Sequence, residues 1–137
     1  MSYQLLLILS ILGWGVSSFF YKIANNTMHP LMVTTIVTLF YVTVTPFAFI
    51  FLKFDHTITG SGAFYAALGA IGACIGSLCY FFAYRAGGGA GEVTALTAVY
   101  PALTLALSCM FLGEPFTFKK GLGVALALLG CIILGWK

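Results

Sequence analysis

The nine charged side chains of this 137-residue chain all fall in, or within a turn of, junctions between long apolar runs. That placement constrains the fold more tightly than any motif. A helix of roughly 20 apolar residues spans the ~30 Å hydrocarbon core of a bilayer, and a charge held inside that core is costly. Five runs have the required length, at about 3–22, 31–52, 63–84, 93–112 and 118–136. Asn25, Asn26, His29 and Pro30 close the first, and Lys53, Asp55 and His56 close the second. Arg85 with Gly87, Gly88 and Gly89 closes the third, and Gly113, Glu114 and Pro115 the fourth. A membrane β-barrel would alternate apolar and polar residues in segments of about ten, which these continuous runs do not. Backbone in lipid must pair internally, so the expectation is an all-α integral membrane protein of five transmembrane helices.

Composition narrows the function classes. Charged residues make up 7% of the chain, against about a quarter in soluble domains. Six scattered cations form no patch for nucleic acid. The N-terminal run has no basic region before it and is too long for a signal peptide, so it reads as the first span. Cys74, Cys79, Cys109 and Cys131 all lie inside spans without the spacing of a metal or redox site, and no cofactor is expected. Glycines 87 to 89 and Gly91 lie between two spans, with no strand before them and no Lys-Ser/Thr pair after, which describes a turn and not a phosphate loop. Glu92 then enters the first turn of the next helix, where a carboxylate suits the dipole. Asp55, Glu92 and Glu114 sit at separate junctions and His29 and His56 in different loops, so no acid-base pair or nucleophile site forms and an enzyme is not expected.

Orientation follows the Lys and Arg tally on each side. Lys53, Lys119 and Lys120 share the side of the N-terminus, while Lys22, Arg85 and Lys137 share the other: three against three. One reading is dual topology, with opposed copies pairing as an antiparallel homodimer. The other is a weakly biased chain oriented by its α-amino group or a partner.

Helical spacing places polar tips on common faces. Ser10, Trp14, Ser17 and Tyr21 step along the first span, and Thr34, Thr38, Tyr41 and Thr45 along the second. Tyr80 and Tyr84 follow Gly69, Gly72 and Gly76 in the third; Thr94, Thr97, Pro101, Thr104 and Ser108 line the fourth beside Tyr100. These stripes suit either a shared moderately polar cavity or hydrogen bonding between packed helices. Pro101 removes the donor to the Thr97 carbonyl and makes a hinge or a mere kink. Trp14, between Gly13 and Gly15, needs a partner for its indole N–H. The fifth span carries no such stripe; Gly123, Ala127 and Gly130 mark a close-packing face, suited to another subunit.

Residues 93–134 resemble the EamA-like repeat of the drug/metabolite transporter superfamily, through Tyr100-Pro101, Phe111-Leu112-Gly113-Glu114-Pro115 and the glycines from Gly121 to Gly130. Gly13-Trp14-Gly15, Lys22 and His29-Pro30 extend the likeness over the whole chain. The resemblance implies one unit of an inverted-repeat transporter fold, in the short five-span branch of bacteria and archaea, placed in the inner or plasma membrane. The second half then comes from another copy or a homologous five-span chain. It also implies alternating-access transport of small metabolites or amphiphilic compounds, with Gly113-Glu114 structural at a helix end. The last span resembles the pairing helix of small multidrug resistance proteins, whose first span carries a carboxylate; this first span has none.

The expected function is therefore a dimeric carrier of small solutes in the lipid bilayer, with no nucleic-acid partner. Trp14, Ser17, Tyr21, Thr38, Tyr41, Tyr80, Thr97, Tyr100 and Thr104 are the expected cavity residues, Pro101 the hinge. A non-transporting accessory subunit of a larger membrane complex is the alternative, and lipid-carrier flipping a third reading.

Overall fold

A computed structural model describes residues 3–51 and 58–135. Among these residues the secondary structure is helical throughout: α1 (Tyr3–Thr27), α2 (Pro30–Phe51), α3 (Gly60–Arg85), α4 (Ala90–Thr97), α5 (Tyr100–Phe111) and α6 (Phe118–Gly135). The junction expected at Lys53, Asp55 and His56, and the chain end at Trp136 and Lys137, lie outside the described residues. Among the described residues, four stretches are long and apolar enough to cross a membrane: Tyr3–Thr27, Pro30–Phe47, Gly60–Arg85 and Ala90–Phe111, the last made of α4 and α5 together. The run expected as a fifth span is helical as α6. Its 18 residues rise only about 27 Å, and Lys119 and Lys120 occupy its first turn.

Several boundaries differ from the sequence reading for local reasons. Asn25 and Asn26 do not end α1, which continues to Thr27. The Asn25 side chain donates to the Tyr21 carbonyl at 2.8 Å, satisfying itself without leaving the helix. The helix stops where Pro30 bars His29 from helical backbone and opens α2 as its first residue. α3 begins three residues early because Thr59 caps it, its hydroxyl accepting from Gly62 N–H at 3.2 Å. It ends at Arg85, and Gly87 takes a left-handed φ of 107° that turns the chain out.

The expected fourth span is interrupted, but upstream of its proline. α4 ends at Thr97, Ala98 and Val99 form a tightened turn, and Ala102 N–H returns to the Val99 carbonyl at 2.9 Å. Pro101 thus sits in the first turn of α5, where its missing N–H is tolerated.

The chain divides into two compact units, residues 1–87 and 88–137. In the first, α1, α2 and α3 pack mutually. Contacts pair Ser18 with Tyr80, Lys22 with Tyr84 and Asn25 with Arg85, so α1 and α3 run parallel. In the second, α4 packs on α6, and the Cys131 thiol donates to the Ala95 carbonyl at 3.1 Å. Gly113 takes φ 66° after α5, which lets Glu114 N–H bond back to the Ser108 carbonyl at 3.3 Å. Lys120 reaches the Glu114 carboxylate at 3.5 Å and the Pro115 carbonyl at 3.1 Å. The Gly113-Glu114 pair therefore does structural work at a helix end. At Gly121 an added Cβ would lie 2.7 Å from the tip of the exposed Phe116 ring, which would have to swing aside.

Candidate functional site

The polar side chains of the first unit converge where α1 and α3 end. Ser18, Lys22 and Asn25 repeat every three or four residues and so share one face of α1. Across from them Tyr80 and Tyr84 share a face of α3. The Tyr80 hydroxyl donates to Ser18 Oγ at 2.9 Å, and the Tyr84 hydroxyl donates to Tyr80. Lys22 Nζ donates to the Tyr84 carbonyl at 3.0 Å and lies 5.9 Å from the centre of the Tyr84 ring. Arg85 donates to the Asn25 carbonyl at 3.4 Å. The last carbonyls of a helix lack partners inside it and carry partial negative charge. Each helix thus supplies the cation that caps the other.

This end also holds the buried residues described in the unit: Asn25, Pro30, Val33, Phe81 and Tyr84. Asn25 is fully buried, and its side-chain oxygen has no partner among the described residues. Tyr21 stacks edge-on against Phe81 at 5.1 Å, and His29 against Phe82 at 5.7 Å.

A cavity of about 350 Å³ opens between α1 and α2 beside this cluster. Phe20, Tyr21, Ala24, Val33, Phe40 and Tyr41 are among its walls. The Tyr21 hydroxyl is within hydrogen-bonding reach of Ser17 and Tyr41, which puts one polar corner in an otherwise apolar space. Such a cavity suits an apolar or aromatic group carrying a single polar function. A wider, open recess of about 590 Å³ lies along α2 at Tyr41, Val42, Thr45 and Pro46. Pro46 withholds a donor from the Val42 carbonyl there.

Of the residues expected to line a cavity, Ser17, Tyr21, Tyr41 and Tyr80 lie within this connected region. Trp14 and Thr38 do not join it. Trp14 is 64% exposed, and the described residues offer its indole no acceptor. Thr38 bonds its own helix, donating to the Thr34 carbonyl at 2.9 Å. In the second unit Thr97 donates to the Val93 carbonyl at 2.8 Å and Thr104 to the Tyr100 carbonyl at 3.3 Å, while Tyr100 and Pro101 are exposed on α5. These threonine hydroxyls thus donate within their own helices. On α6, Gly123, Ala127 and Gly130 are exposed, and the space beside both glycines is open.

Sequence reasoning passed over Ser18 and Pro46, took Asn25 and Arg85 only as markers of a helix end, and did not foresee the link from Lys22 to Tyr84. A wheel drawn on α1 groups Ser18 with Lys22 and Asn25, but the grouping gains meaning only once α3 lies alongside. The proline inside an apolar run was a visible signal for Pro46.

The EamA-like transporter family matches residues 1–136 of the chain. An uncharacterized protein of the archaeon Methanocaldococcus jannaschii is 33% identical over 126 residues, covering 88% of this chain and 87% of the relative. No solved structure matches.

Proposed function

Because the chain belongs to the EamA-like transporter family, a family of membrane transporters in the drug/metabolite superfamily, we propose that it carries small amphiphilic or aromatic solutes across the membrane. The observation that supports this reading is the cavity between α1 and α2. It is large enough for a small metabolite, walled by aromatic and branched side chains, and polar at the Tyr21–Tyr41 corner. The reading is of a carrier and not of an enzyme.

The carrier we envisage has five spans, with α4 and α5 together as the fourth and α6 as the fifth, and works as an antiparallel homodimer by alternating access. The balanced cation tally supports opposed insertion, and the open glycine face of α6 supports a subunit contact. The interruption at Ala98 and Val99, followed by Pro101, supplies the flexible point.

Two experiments test this. Cells expressing the chain should take up or expel members of a panel of fluorescent and radiolabelled amphiphiles faster than cells with empty vector. Ala24→Trp, which fills the cavity, should abolish the difference while leaving membrane insertion intact; equal rates with and without the chain would sink the reading. Reporters fused after Lys137, one active inside the cytoplasm and one outside, should both give signal. Signal from one alone rules out the antiparallel homodimer and leaves the cavity reading to the first experiment.

A further inference from the structure

The two cations at the shared end of α1 and α3 exceed what helix capping uses. Lys22 and Arg85 bring two full positive charges, whereas the C-termini of α1 and α3 present only about half a negative charge each. The N-terminus of α2, which begins at Pro30 beside the same cluster, adds about half a positive charge. The only carboxylate in residues 1–87 is Asp55, outside the described residues, and neither cation has an ion-pair partner among the described ones. Within this unit the balance is therefore an excess of about one and a half positive charges at the end of three apolar helices.

Donor capacity tells the same story. Lys22 commits one N–H, to the Tyr84 carbonyl, and Arg85 one, to the Asn25 carbonyl. An ammonium has two more donors and a guanidinium four more. Lys22 is half-buried and Arg85 exposed, so each head keeps access from outside the seam. Because Lys22 binds the residue before Arg85, and Arg85 binds a residue one turn beyond Lys22, the two heads straddle a single helix–helix seam. His29 stands nearby against Phe82, one turn before Arg85. Its Nδ1 accepts from Leu31 N–H at 3.3 Å, which places the proton of a neutral ring on Nε2 as a further donor.

We propose that Lys22 and Arg85, with His29 beside them, form an oxyanion-binding site, taking a phosphate or carboxylate group at the shared end of α1 and α3. Two sources present that chemistry: the headgroup of an acidic lipid at the membrane edge, and a free small anion. The site is separate from the cavity and does not depend on transport.

The full chain, purified in a neutral detergent, is titrated with phosphatidylglycerol and with phosphatidylcholine, and bound lipid is counted by native mass spectrometry. In parallel, its thermal melting is followed with inorganic phosphate in phosphatidylcholine micelles. A preference for phosphatidylglycerol identifies the lipid as the source; a phosphate-dependent rise in melting temperature without lipid preference identifies the free anion. Each basic residue near an anionic group is worth about a fivefold change in affinity, so K22Q or R85Q should weaken binding about fivefold and the double variant about thirtyfold. The K119Q/K120Q variant, at the start of α6, should bind as the parent does. Equal binding of both lipids with no response to phosphate would overturn the proposal. So would an undiminished preference in a double variant that keeps its helical circular dichroism. Should that variant lose its helicity, the parent chain decides, because binding through these charges must weaken as salt rises, and salt-insensitive binding overturns the site.

Discussion

The two ends of the first unit are built from the same three helices and differ in what holds them. Where α1 and α3 finish, five residues are buried, two cations cross the seam, and a Ser18–Tyr80–Tyr84 hydroxyl chain joins the helices. At the other end the side chains described on α1 from Tyr3 to Val16 and on α3 from Gly60 to Ser77 are all exposed, and nearly all are apolar or small. Helices in lipid gain little from burying apolar surface against one another, because acyl chains are equally apolar. Packing is therefore strongest where polar groups need partners. The exposed end is surface for lipid or for a second chain.

The comparison can be broken most directly by large truncations. Tyr84→Ala, at the packed end, should cost about 3–5 kcal/mol in reversible unfolding in mixed micelles, since it empties a buried ring position. Phe64→Ala, on the exposed half of the same helix, should change stability by about 0.5 kcal/mol or less. Equal losses would erase the distinction between the ends.

Removing a capping cation is the next largest effect. Arg85→Gln should lower stability by about 1 kcal/mol, the upper end of what an exposed charge at a helix terminus contributes. Tyr80→Phe tests the hydroxyl chain; its expected cost is about 1 kcal/mol, and a double-mutant cycle with Ser18→Ala should recover most of it as coupling. At the packed end itself, the smallest change is expected at Asn25→Leu. Losing the bond to the Tyr21 carbonyl is offset by removing an unpartnered buried oxygen, so the net shift should stay within about 1 kcal/mol. A loss well above that would mean that the Asn25 oxygen has a partner such as a bound water.

Much of this fold can be read from hydropathy. The apolar runs locate the helices because lipid forbids charge in their middles, and the turns at Gly87 and Gly113 follow from residues with few alternatives. What escapes the sequence is pairing between distant segments. Lys22 and Tyr84 are 62 residues apart, and nothing in either helix announces that they lie in register. The interruption near Pro101 was legible as an event but misplaced by position, because the chain tightens at Ala98 and Val99 before the proline arrives. Trp14 illustrates the limit of periodicity: it shares a face with Ser17 and Tyr21, yet its ring points outward while Tyr21 meets Phe81.

The crossed links between α1 and α3 have a genetic consequence. Both run from a side chain to a backbone carbonyl, and a carbonyl survives any codon change at its own position. Replacing Tyr84 or Asn25 alters packing but leaves each acceptor in place. Only the codons for Lys22 and Arg85 can erase a link outright, and a compensating change can arise only from a new donor. A screen for variants with a loosened seam should therefore recover direct link losses at those two positions, and revertants that reintroduce a basic side chain nearby.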